Sequence, residues 1–241
     1  VGCSDKELER AEALRDAGAS YFCVDVAHAH AKYVGKTLKK LRTILTEECI
    51  IAGNVATYAG ADYLSSCGAD IIKIGIGGGS VCSTRIKTGF GVPTLTSVQQ
   101  CARIDRSIIA DGGIRSPGDI VKALAFGADF VMVGSLLSGT SVTPGPVIEN
   151  ENGDKMKKYR GMASQEAQED FIGHVPEWKT AEGVSTEVPY RENPAGIIAD
   201  VIGGLRSGLT YGGAENIREL QRKLNYALVS PASKLESIPH K

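Results

Sequence analysis

The sequence predicts an α/β fold in which helices cover a parallel sheet. Over the first half of the chain, short apolar runs alternate with helical patterns. Runs that are apolar throughout are typical of strands buried on both faces of a parallel sheet. Each run ends in aspartate, asparagine or glycine, the residue types that build sites at the carboxyl ends of barrel strands. We therefore expect a (β/α)8 TIM barrel and not an open doubly wound sheet, which would carry a GxGxxG turn after its first strand.

The elements follow one another in a regular order. A glycine-alanine pair at residues 18, 68 and 127 ends a helix and precedes an apolar run, as expected of repeated βα units. Helices are predicted at residues 5–17, 34–45, 58–66, 97–103, 118–126, 195–207 and 214–224. Strands are predicted at residues 19–25, 50–54, 71–74, 107–111 and 129–134.

Five strands are too few for a closed barrel. An eight-stranded barrel takes about 250 residues, and here residues 140–190 form a polar excursion. We therefore expect one catalytic barrel domain over residues 1–241 that lacks roughly three N-terminal βα units, as a fragment would. Long polar insertions at the top of a barrel commonly act as lids, so residues 141–190 are expected to be an active-site lid.

Composition narrows the classes of function. The chain has 241 residues and a net charge of −1, without the basic excess that nucleic-acid binding requires. No apolar run approaches the roughly 18 residues that a membrane span needs, so we expect no membrane partner. The six cysteines are dispersed and form no CxxC pair or zinc-ligand spacing. This pattern favours a reducing, cytoplasmic location.

Cys82 lies in a glycine-rich loop directly after the predicted strand at residues 71–74. Ser80 and Thr84 bring hydroxyls close to the thiol, and Arg85 brings a cation. A cation near a thiol favours the thiolate, which is the nucleophilic form. From the residues alone the loop is either a nucleophile site or an ordinary turn that holds a buried cysteine.

Taken together, the motifs resemble the IMP dehydrogenase and GMP reductase superfamily. They include Asp-Val-Ala-His, Ala-Gly-Asn-Val, the cysteine loop, Ala-Asp-Gly-Gly-Ile-Arg and Tyr-Arg-Gly-Met, and they cover essentially the whole chain in the order of the family. The matching positions are 25–28, 52–55, 75–93, 110–115, 133–136, 159–162, 182–183, 188–190 and 204–207.

The resemblance implies a barrel enzyme that binds a purine nucleoside monophosphate and a nicotinamide cofactor. Cys82 would attack C2 of the base, with Thr84 and Glu182 delivering protons. Asp25, Asn54 and Lys179 would bind the cofactor, and the carbonyls of Gly77, Gly79 and Cys82 would hold potassium. Substrate-binding positions implied in the same way are Ser80, Asp111, Gly113, Gly134, Ser135, Tyr159, Gly161, Met162 and Ala163.

The two branches of the superfamily run related chemistry in opposite directions. Dehydrogenases of this kind hydrolyse the covalent intermediate with an arginine-tyrosine pair on the lid, whereas residues 165–181 here contain neither residue type. The resemblance therefore favours an NADPH-dependent GMP reductase that forms a homotetramer. The alternatives are an IMP dehydrogenase that uses NAD and a non-catalytic nucleotide-binding fragment.

Overall fold

Five parallel strands form the centre of the computed structural model, which describes residues 1–173 and 180–236. They pair in chain order, each parallel to its neighbour. The carboxyl ends of all five strands therefore lie along one edge of the sheet, as the sequence predicted. The strands are β1 (Tyr21–Asp25), β2 (Cys49–Val55), β3 (Ile71–Ile74), β4 (Ser107–Asp111) and β5 (Phe130–Met132).

Helices connect the strands and cover the sheet. The Thr57 side chain accepts a hydrogen bond from the Gly60 amide and begins α3, and Ser116 caps α6 in the same way through Asp119. In this part of the chain the helices are α1 (Asp5–Asp16), α2 (Lys32–Ile44), α3 (Tyr58–Ser66), α4 (Thr84–Thr88), α5 (Thr94–Cys101) and α6 (Pro117–Ala125). The sequence had predicted all of these except the short helix α4.

The hydrophobic core lies between the sheet and these helices. Leu38 and Leu41 of α2 are fully buried against strand residues such as Ile50 and Ile72. Strands β2, β3 and β4 are mostly buried, whereas the edge strand β1 is exposed at both ends and the edge strand β5 is exposed at Phe130 and Met132. The parallel pairing of the five strands confirms the prediction of a parallel sheet. Lys73 of β3 is a charged residue in this otherwise apolar region, and its side chain is only 3% exposed.

The polar excursion contains a second sheet. An antiparallel three-stranded sheet is formed by β6 (Val147–Glu149), β7 (Lys155–Arg160) and β8 (Ser185–Pro189), and α7 (Gln165–Ile172) lies between its last two strands. The sequence pattern predicted no strands in this lid region, because β7 is too charged to show an apolar run. It is a strand by its pairing with β6 and β8, and its Lys157 is buried whereas Lys158 is exposed. Residues 174–179, including Lys179, lie outside the described residues.

Up to residue 236, where the described part of the chain ends, three further helices follow the second sheet. They are α8 (Ala195–Tyr211), α9 (Ile217–Arg222) and α10 (Pro231–Glu236). Helix α8 packs on α6, where Gly204 lies against Pro117 and Gly208 against Val121. The absence of side chains at these two positions allows the helices to approach closely. The predicted helices at 195–207 and 214–224 are thus confirmed, with shifted ends.

Gly75 follows β3 with a backbone φ of +143°, and a Cβ atom there would lie 1.9 Å from the carbonyl oxygen of Asp111. Gly75→Ala should therefore lower the free energy of unfolding by about 2–4 kcal/mol, through strain and overpacking. Gly196 in α8 is the control, because a Cβ atom there meets nothing within 4 Å. Gly196→Ala should change stability by no more than about 1 kcal/mol. Urea unfolding measures both, and equal effects would contradict the prediction.

Candidate active site

The loop that carries Cys82 is hydrogen-bonded to the segment at residues 182–184. The Ser83 amide donates to the Glu182 carbonyl over 2.8 Å, and the Val184 amide donates to the Val81 carbonyl over 2.9 Å. Cys82 and Gly183 form the antiparallel bridge between these two bonds. A segment about 100 residues further along the chain is thereby fixed beside the thiol.

Cys82, Thr84 and Glu182 form a chain of hydrogen bonds. The Cys82 thiol donates to Thr84 Oγ1 over 3.2 Å, and the Thr84 hydroxyl donates to Glu182 Oε2 over 2.8 Å. Thr84 is the first residue of α4, so the helix that the sequence analysis missed fixes its backbone. The structure therefore brings the three predicted catalytic residues together, with the carboxylate at the accepting end.

Cys82 differs from the other cysteines in its surroundings. Burial raises the pKa of the Cys101 thiol to about 11, so that thiol stays protonated. Burial also raises the pKa of Cys3, Cys23 and Cys49. Counting partners within the described residues, Cys82 alone among the six cysteines has a hydroxyl and a carboxylate arranged to take its proton.

Arg85 does not face the thiol as the sequence suggested. Its guanidinium donates to the Val92 carbonyl over 2.8 Å and lies against Gly77 and Gly91. Arg85 therefore stabilises the conformation of the loop. The Cys82 thiol instead contacts Thr84, which is hydrogen-bonded to Glu182, and this pair can accept its proton.

A pocket of about 480 Å³ opens beside the cysteine loop. Ser80, Gly113 and Ser135, three predicted substrate-binding residues, line it. Gly112 and Gly113 have φ values of +88° and +80°, and a Cβ atom on Gly112 would lie 3.0 Å from the backbone of Gly78. This close approach of two backbones forms a concave surface of glycines and hydroxyls, which suits a phosphate group.

Tyr159 joins the second sheet to this pocket. Its hydroxyl lies 3.1 Å from Ser80 Oγ, and a Cβ atom on Gly134 would lie 3.3 Å from the same hydroxyl. Gly161, which directly follows β7, lies next to the Val81 carbonyl. Among the predicted substrate-binding residues, Met162 is 79% exposed. The Ala163 carbonyl accepts a hydrogen bond from the Glu182 amide.

Four polar residues meet at the carboxyl ends of β1 to β4. Lys73 Nζ lies 2.6 Å from Asp111 Oδ2 and 3.1 Å from Asp25 Oδ1. Asn54 Nδ2 donates to Asp111 Oδ2 over 3.0 Å and to the Gly75 carbonyl over 2.7 Å. Burial lowers the pKa of Lys73, but the two aspartates outweigh it, so the pKa is raised and the ammonium stays charged.

The cluster adds to the sequence prediction. Asn54, which was expected to face the cofactor together with Asp25, donates through its amide to Asp111, the residue expected to bind the substrate. Lys73 was not predicted at all, because it stands inside an apolar run. A lysine within a fully buried strand was the available signal, since such a side chain requires a partner.

The predicted cofactor and metal sites include oxygen atoms of two kinds, a side-chain carboxylate and backbone carbonyls. The exposed Asp25 carboxylate is suited to accepting the hydroxyls of a ribose. Backbone carbonyls such as those of Gly77, Gly79 and Cys82 are hard oxygen donors that suit potassium, although the Gly79 carbonyl already accepts the Cys82 amide. Among the described residues, no three His, Cys, Asp or Glu side chains converge as metal ligands.

Within residues 1–173 and 180–236, no helix combines the length and apolar character that crossing a membrane requires.

The sequence is similar to those of several named enzymes. Inosine-5'-monophosphate dehydrogenases from Nitrosopumilus maritimus and Aquifex aeolicus are 42% identical over 258 residues and 44% identical over 255 residues. The alignments cover 100% of this chain but 53% and 51% of the two relatives. The chain thus spans about half the length of these proteins.

Two solved structures resemble the fold. Inosine 5' monophosphate dehydrogenase from Legionella pneumophila is 74% identical, with a TM-score of 0.86, and the match covers 96% of this chain and 72% of that one. A variant GMP reductase from Trypanosoma brucei in complex with guanosine 5'-monophosphate is 39% identical, with a TM-score of 0.93. That match covers 100% of this chain and 51% of the other.

A family model described as the IMP dehydrogenase / GMP reductase domain matches residues 1–240. With the arrangement of Cys82, Thr84 and Glu182 and the similarity to named relatives, this match leads to one conclusion: the chain belongs to the IMP dehydrogenase / GMP reductase family.

Proposed function

We propose that this chain is the catalytic part of a purine nucleotide oxidoreductase that forms a covalent bond between Cys82 and C2 of the base. The observation that carries the proposal is the hydrogen-bonded series of Cys82, Thr84 and Glu182. A thiol that donates through a hydroxyl to a carboxylate is arranged as an activated nucleophile. The five parallel strands are then part of the (β/α)8 barrel that the resemblance implied.

The pocket beside the loop supports a nucleoside monophosphate as the substrate. Its glycine backbone and the hydroxyls of Ser80 and Ser135 suit a phosphate. Asp111 uses Oδ2 for Lys73 and Asn54, and none of the described residues donates to its Oδ1. That oxygen is placed to accept a ribose hydroxyl. The phosphate pocket, the ribose acceptor and the thiol thus correspond to the three parts of a nucleotide.

The reaction follows from these positions. The thiol proton passes through Thr84 to Glu182 as the sulfur attacks C2 of the purine. A nicotinamide cofactor bound beside Asp25 would exchange the hydride with C2. In the oxidative direction the hydride leaves C2 and a carbon-sulfur adduct remains. Glu182 releases the thiol proton to solvent, water attacks C2, and Glu182 accepts a proton from that water through Thr84. The carbon-sulfur bond then breaks, and the Cys82 thiolate takes this proton back as the product is released.

Of the two directions, we propose oxidation of IMP to XMP with NAD. The named sequence relatives are IMP dehydrogenases at 42% and 44% identity, and the solved structure at 74% identity is described as one as well. These comparisons favour the dehydrogenase and so reverse the preference that we drew from the sequence. The accepting position of Glu182 agrees with this direction, since a carboxylate can take a proton from water through Thr84.

Reduction of GMP with NADPH is the second candidate, and the composition of residues 165–181 favours it. This segment contains no arginine and no tyrosine, whereas the resemblance implied such a pair in dehydrogenases. The GMP reductase from T. brucei also superposes over 100% of this chain. In this direction Glu182 would have to begin protonated, because ammonia leaves from C2.

Two assays on the full-length protein distinguish the candidates. We expect steady formation of XMP and NADH from IMP and NAD, measured over many turnovers. Release of ammonia from GMP with consumption of NADPH, and no XMP from IMP, would replace the first candidate by the second. Absence of both activities in a protein that binds nucleotide would indicate a non-catalytic binding domain. Light scattering of the same preparation tests the homotetramer.

A further inference from the structure

Lys73 is a buried cation that contacts two carboxylates with different expected ligands. Its side chain is 3% exposed, while those of Asp111 and Asp25 are 23% and 64% exposed. Under the proposed function, Asp111 accepts a hydrogen bond from the ribose of the nucleotide, and Asp25 accepts one from the ribose of the cofactor. One ammonium group therefore lies between the two binding sites.

The sheet register explains how the lysine reaches both acids. Asp25 pairs with Gly53, and Gly53 pairs with Lys73, so the three residues form one row across β1, β2 and β3. A Cβ atom on Gly53 would lie 2.4 Å from Lys73 Cβ. The glycine in the middle strand thus leaves room for the lysine to extend across it towards Asp25, while Asp111 approaches from β4.

The two contacts of Lys73 differ in their exposure to solvent. Burying an ammonium group is costly unless it is paired and hydrogen-bonded, and Asp111, which is 23% exposed, accepts the hydrogen bond of Lys73. The second contact goes to Asp25, whose side chain is 64% exposed and can therefore be reached by a ligand. What the second contact does provide is a fixed orientation for Asp25 at the end of β1.

We propose that Lys73 is a positioning residue that orients both ribose-binding carboxylates, Asp111 for the nucleotide and Asp25 for the dinucleotide cofactor. Its ammonium group contacts Oδ2 of Asp111 and Oδ1 of Asp25. Each acid is left with its other oxygen for a ligand hydroxyl. Loss of the ammonium group should then weaken both ligands together, although the lysine touches neither. This inference rests on the proposed function.

The test compares three variants of the full-length protein. Lys73→Met keeps the length of the side chain without its charge, and we expect at least a tenfold rise both in the Kd of IMP or GMP and in the KM of NAD or NADPH, with a smaller change in kcat. Lys73→Arg keeps the charge and should stay within about threefold for both ligands. Lys157→Met is the control, because Lys157 is equally buried but donates to the carbonyls of Thr140 and Thr143. That control should lower Tm and leave both constants within about threefold.

The outcomes separate this inference from the proposed function. If the wild-type protein is active and folded Lys73→Met keeps both constants within twofold, the inference alone is wrong. A rise in only one constant also overturns it. A wild-type protein that neither binds nucleotide nor turns over would overturn both. If Lys73→Met does not fold, the double variant Lys73→Met with Asp25→Asn is compared with the single variant Asp25→Asn. The proposal then requires the nucleotide Kd of the double variant to be at least tenfold higher than that of the single variant.

Discussion

Replacing Cys82 by serine is expected to reduce turnover by roughly 10³-fold or more while nucleotide binding persists. A serine hydroxyl does not form a thiolate equivalent at neutral pH, so the bond to C2 cannot form at a useful rate. The pocket residues Ser80, Gly113 and Ser135 are unchanged in this variant, and they carry the expected phosphate contacts. The Kd of the nucleotide should therefore stay within about threefold of the wild type.

Mass spectrometry provides the direct readout for this prediction. Acid-quenched wild-type protein should gain the mass of a purine nucleotide during turnover, and Cys82→Ser should not. Cys49→Ser is the matched control, since Cys49 lies at the start of β2, away from the site. Turnover by Cys82→Ser within tenfold of the wild type would remove the covalent mechanism, whatever the direction of the reaction.

Glu182→Gln has the second largest expected effect and identifies the slow step. Glutamine matches the shape of glutamate but cannot accept the Thr84 proton, and general acid-base assistance is worth about 10² to 10⁴ in rate. In the oxidative direction both the attack of the thiol and the hydrolysis of the adduct lose their proton acceptor. Because a thiol ionises far more readily than water, it can still lose its proton to solvent, so hydride transfer to NAD should slow less than hydrolysis of the adduct. A burst of NADH followed by a slow steady state is therefore expected in stopped-flow absorbance.

The control and the second candidate give different patterns. Glu187→Gln changes an exposed carboxylate on β8 and should leave both phases within about twofold. If the enzyme is a GMP reductase, Glu182→Gln should slow ammonia release more than NADPH oxidation of a preformed adduct. Slowing of hydride transfer with no slowing of adduct hydrolysis would show that Glu182 serves only to activate the thiol.

Much of the parallel sheet could be predicted because most residues of its strands are apolar. Residues 71–74 and 107–111 were predicted with the bounds that the structure shows, and helix α3 likewise. The cysteine loop could also be found, since glycines, hydroxyls and a thiol are local in the chain. Its closeness to Glu182 came from the resemblance, because no local pattern links residues so far apart.

The parts that could not be predicted depend on contacts between distant segments. Strand β7 consists largely of charged residues, and it is a strand because it pairs with β6 and β8 on its two sides. Lys73 appeared to be one polar residue in an apolar run until Asp25 and Asp111 were placed around it. In both cases tertiary pairing determines the local structure, and the sequence pattern does not report it.

The bonds between the cysteine loop and residues 182–184 have a consequence for how catalysis is timed. Since the backbone of Glu182 is anchored to Ser83, and Val184 to Val81, the acid-base group is preorganised against the nucleophile before any ligand arrives. Ligand binding then incurs no reorganisation cost for assembling the proton relay.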